Sequence, residues 1–270
     1  ALVSALEKAN QETWTKLIFA IAEGTGTKGL LLALNAFPKT MSRDERKKRT
    51  WIIFELIHRY ARPADANLLV QYLETKPEPH WRAQAAGCLA ELGDMRALPT
   101  LVWRLQQDPL VLYKADVDPE WRLDDGERVT AALELVDLAT MHPEQRAEIR
   151  KAAYGSVRAW ATSRPQPPMM ALRFFATVEA TEAAPLLRQW ATRPLKPMGL
   201  ISNEDWHTAA SSLRYLGAMR DASSWKTLEA QFERPATHDP AYPYEMLITG
   251  ATEGFSEWGD HRAVPMLMKL

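Results

Sequence analysis

The amino-acid sequence predicts an all-α protein, a right-handed α-α superhelix (an α-solenoid) of about seven stacked helix pairs. Three observations carry that prediction. A phrase recurs: residues 93–99 read GDMRALP and residues 259–265 read GDHRAVP, with looser copies EATEAAP at 179–185 and GAMRDAS at 217–223. The copies stand 86, 38 and 42 residues apart, and 86 is twice 43; a period of roughly 40 residues marks a helical-pair solenoid or a propeller. The apolar residues before each phrase then choose between the two. Trp81, Ala85, Leu89 and Leu92 follow the spacing of an amphipathic helix, and no sustained period-two alternation accompanies them.

From the N-terminus, residues 17–21 pair with 30–34, and residues 51–60 with 66–73. Residues 81–92 open the clearest unit, and Leu98, Leu101, Val102 and Leu105 mark its second helix. Val129, Leu133, Leu135 and Val136 stripe the next first helix. Its partner starts near Pro143 and runs through Ile149, Ala153, Val157 and Trp160. Ala171, Phe175 and Val178 precede Leu186, Leu187 and Trp190; residues 206–229 give a further pair; Ala251, Phe255 and Trp258 lead into the last. One pair cannot bury its own apolar face, so stacking supplies the core. The expected organisation is a single domain, 1–270. The missing initial Met and the end inside a pair read as a processed or trimmed piece of a longer chain.

The recurring phrase has the chemistry of a helix-to-helix turn. Gly93 and Gly259 suit the left-handed position just past a helix. Asp94 and Asp260 are placed to cap the next helix. Pro99, Pro185 and Pro265 fall in the first turn of the second helix, where a missing N–H costs nothing. Arg96 and Arg262, with their Asp residues, read as a ladder that ties neighbouring turns together. Residues 92–99, LGDMRALP, resemble the turn signature of HEAT-like repeats in the short form found in phycobilisome-lyase-type repeat proteins. The match is close at 81–105 and 247–270 and looser at 170–190 and 206–229.

Composition is that of an ordinary globular chain, 46% hydrophobic and 25% charged. A net charge of −1 gives no global pull towards nucleic acid or anionic lipid. No apolar run approaches the ~18 residues of a bilayer span, and the compartment stays open. Cys88, the single cysteine, sits in a strong repeat and reads as a small buried apolar residue. One cysteine excludes an internal disulfide and a multi-cysteine metal site.

The connections between pairs are longer and richer in Pro than the turns within them: 37–44, 75–79, 108–126, 163–168, 193–203 and 234–243. All occupy one topological position, so in a stack they project from one edge, often the binding edge. The longest, DPLVLYKADVDPEWRLDDG, carries Tyr113 and Trp121 among acidic residues. It reads either as an aromatic-anchored contact for a partner or as a solvated loop. Of ten Trp residues, Trp14, Trp51, Trp81, Trp160, Trp190 and Trp258 fall on apolar stripes and read as packing. Trp103 with Arg104, together with Tyr113, Trp121, Trp206, Tyr242 and Tyr244, are the candidate protein-binding residues.

Catalytic chemistry is thin. The six His residues form no H-E-x-x-H pair, and neither a phosphate-cradling Gly loop nor a G-x-S-x-G elbow is present. Glu204, Asp205 and His207 could meet His238 and Asp239 one unit on, but the spacing does not single out a metal site. The basic run Arg43, Arg46, Lys47, Lys48 and Arg49 is the best nucleic-acid candidate. The expected function is a non-catalytic scaffold, adaptor or assembly subunit that binds another protein. It would use its second-helix surface and insertion edge, with no catalytic residues, cofactor or metal. The resemblance also implies an alternative, a bilin-lyase-like subunit that acts on a partner protein. Helical-repeat DNA glycosylases supply a third reading, a nucleic-acid binder.

Overall fold

The structure, a computed structural model, describes residues 5–6, 9–38, 40–75, 79–107, 126–164, 166–195, 204–233 and 244–268. Among these residues every regular element is helical. The chain divides into two compact units, 1–124 and 125–270.

The first unit begins with α1 (Gln11–Asn35), capped by the Asn10 side chain, which accepts from the Thr13 N–H at 2.9 Å. Gly26, at φ 60 and ψ −150, breaks α1 into two helical halves that make the first pair. That backbone region is essentially glycine's alone. By length and mean hydropathy, 1.5 over its most apolar stretch, Glu12–Asn35 meets the requirement for a membrane span, which the sequence reading overlooked. A third of that stretch is buried within the fold, and Gly26 interrupts the helix. Helices α2 (Arg43–Tyr60) and α3 (Ala66–Glu74) form the second pair, and α4 (Pro79–Glu91) and α5 (Leu98–Gln106) the third. Helix α1 packs on α2 and α3, and α2 packs on α4.

The described residues of the second unit form four pairs: α6 (Gly126–Met141) with α7 (Arg146–Thr162), α8 (Met169–Thr177) with α9 (Ala184–Thr192), α10 (Glu204–Ala218) with α11 (Trp225–Glu229), and α12 (Tyr244–Trp258) with α13 (Val264–Leu267). First helices pack in the row α6, α8, α10, α12, while α9 packs on α11 in the second row. The core of this unit is small and aromatic, with Ala131, Leu135, Phe174, Phe175, Leu213, Ala251 and Phe255 all at most 1% exposed.

From the second pair onward, each described turn within a pair is a short 3₁₀ segment that runs straight into the second helix, as at Met95–Ala97 and His261–Ala263. Gly93 and Gly259 are left-handed at φ 71 and 72. The Gly93 N–H bonds to the Ala90 carbonyl and that of Asp94 to the Leu89 carbonyl, closing the end of α4. Asp94 and Asp260 accept from the N–H groups of Arg96 and Arg262 at 3.0 and 2.9 Å, so the caps act on the 3₁₀ segment. Pro99, Pro185 and Pro265 occupy the first turns of α5, α9 and α13.

One register was misread. The left-handed residues are Gly93, Glu179, Arg220 and Gly259. The third copy is therefore RDASSWK at 220–226, and the spacings from Glu179 become 41 and 39 residues. Gly217 lies inside α10 and serves helix packing instead. Two further expectations are corrected. Trp51 is 56% exposed, and Val129 and Leu133 are each 37% exposed, because α6 turns Ala131, Ala132, Leu135 and Val136 inward.

The expected Asp/Arg ladder between neighbouring turns is corrected: Asp94 and Asp260 pair with Arg96 and Arg262 of their own turns, and the ties between pairs run from a second helix to the turn of the succeeding pair. The Thr27 hydroxyl donates to Asp65 at 3.0 Å, and Arg96 reaches back to Asn67 at 2.8 Å. Arg146 donates to Glu179 at 2.9 Å, and Arg188 to Asp221. The Arg262 guanidinium lies 4.5 Å from the Trp225 ring centroid. Within the last turn, side-chain and backbone N–H donation from Arg262 lowers the Asp260 pKa to about 2. A carboxylate with a depressed folded-state pKa stabilises the fold above its ordinary pKa near 4, and that contribution fades as the pH falls through 2. Asp260→Asn is therefore expected to lower the urea midpoint at neutral pH. The gap to wild type should close between pH 4 and pH 2.

Candidate functional site

Among the described residues, two second helices border an open concavity. A groove of about 400 Å³ lies in the second unit, lined by Thr162 and Arg164 at the end of α7 and by Leu186, Gln189, Trp190 and Arg193 on and after α9. It is open to solvent: Arg164 and Gln189 are exposed, Leu186 is half-buried, and Trp190 at 8% exposure forms the floor. Its base is fastened by Asp205 in the first turn of α10. That carboxylate accepts from Gln166 at 3.0 Å and pairs with Arg193, so the connections leaving α7 and α9 converge on one acidic residue. A carboxylate there also suits the positive end of α10.

The polar groups at the helix ends are already engaged. Thr162 donates its hydroxyl to the Arg158 carbonyl at 2.9 Å, Ser163 to the Trp160 carbonyl at 2.8 Å, and Thr192 to the Arg188 carbonyl at 2.8 Å. These hydroxyls back-bond to carbonyls of their own helix one turn earlier, alongside the backbone N–H groups. The groove's lining combines two guanidinium groups and an amide with the apolar surface of Leu186 and Trp190.

The predicted binding residues scatter. Tyr113, Trp121 and Tyr242 lie outside the described residues, as do His238 and Asp239. Trp206 is 1% exposed and meets Tyr244 edge-to-face at 5.6 Å, so those two join α10 to α12 inside the unit. Arg104, at 2% exposure, is also withdrawn from solvent. It falls on the inward face of α5 with Leu98, Leu101 and Leu105, a spacing readable in the sequence. Trp103 remains half-buried, with the Arg82 guanidinium 4.5 Å from its ring centroid. Sequence reasoning passed over Arg164, Gln189 and Arg193. Its one pointer was that the insertions at 163–168 and 193–203 begin beside the groove.

The basic run is partly spent inside the first unit. Arg49 is 7% exposed, bonds Glu45 at 2.7 Å and lies 4.8 Å from the Trp14 ring centroid. Arg46 donates to the Pro38 carbonyl at 3.2 Å. Asp205 is likewise committed to Arg193 and Gln166. Among the described residues no group of three or more His, Cys, Asp and Glu side chains is arranged to hold a metal.

Residues 81–107 match the family described as PBS lyase HEAT-like repeat. The match covers α4, its turn and α5, the pair in which the recurring phrase is most complete. No curated protein matches the chain. The matched pair, and the same turn geometry recurring through both units, make this chain an all-α HEAT-like repeat protein.

Proposed function

We propose that the chain is a non-catalytic scaffold that holds another protein against the second-helix side of its second unit. The groove between α7 and α9 carries the reading, because it combines an aromatic floor with charged and amide groups at the rim. Arginine and tryptophan are the residue types in which interface energy concentrates. Elsewhere in the unit, many polar side chains are engaged in joining one turn to the next. A surface held by stacked helices loses little freedom on binding, which favours affinity.

The test is capture by the immobilised full chain from a native lysate, read by mass spectrometry. Wild type is compared with Arg164→Glu/Gln189→Glu in the groove and with Lys226→Glu, an exposed change outside it. The expected result is a protein retained by wild type and Lys226→Glu and lost with the groove variant. If no retained protein depends on the groove, the proposal fails.

A further inference from the structure

We draw no further inference here: the strongest candidate, the exposed apolar surface patch of Val129 and Leu133 on α6, carries nothing because nothing in the structure shows what covers it.

Discussion

Replacing Gly217 with alanine is expected to cost the second unit about 3 kcal/mol, at the upper end of the usual overpacking range. A Cβ at Gly217 would lie 2.0 Å from the Gly254 carbonyl oxygen and 2.2 Å from its carbon. The atoms it meets are backbone, so no side chain can swing aside. Further along the seam, a Cβ at Gly250 would stand 2.3 Å from the Ala210 oxygen, and one at Gly254 2.8 Å from the Leu213 oxygen. Helices α10 and α12 therefore meet main chain to main chain over two turns. A methyl at position 217 would push them apart and loosen Leu213, Leu247, Ala251 and Phe255, all buried along these helices. Urea unfolding measures the effect. With slopes of roughly 1–3 kcal/mol/M, the midpoint should drop by about 1 M or more. A variant with an unchanged midpoint would mean that the close approach contributes nothing.

Trp206→Ala should be as damaging, at about 3–5 kcal/mol, the usual loss for deleting a large buried aromatic. The indole is 1% exposed and fixes α10 against Tyr244 at the start of α12. Trp206→Phe keeps most of the buried area and should lose much less. Thermal unfolding of the two variants, set beside partner capture, separates packing from recognition. Capture that disappears with full stability retained would restore Trp206 to the binding surface, where its position beside an insertion had placed it.

The contrast between these residues shows what a single sequence makes legible. Helix pairs, their turns and the roles of Gly93, Asp94 and Pro99 were readable because backbone rules act over a few neighbouring residues. Gly217 misled because a glycine near a helix end resembles a turn glycine. Only the left-handed φ of 52 at Arg220 reveals where the turn begins. Arg104 could have been placed by counting from Leu101, whereas Trp51 and Leu133 kept to the apolar pattern and still reached solvent. The groove was least legible. Arg164 and Arg193 belong to different pairs, and their proximity depends on how far α7 and α9 stand apart. No local pattern encodes that distance.

The forward direction of the turn ties also bears on how such a chain can grow or be cut. Thr27, Asn67, Arg146, Arg188 and Trp225 each hold the next pair along the chain. The transferable module therefore straddles two hairpins, beginning at one second helix and closing at the next bend. An excision made at that boundary preserves each donor with its acceptor. An excision made between hairpins orphans one member of every couple it crosses, although both splice products contain the same number of helices.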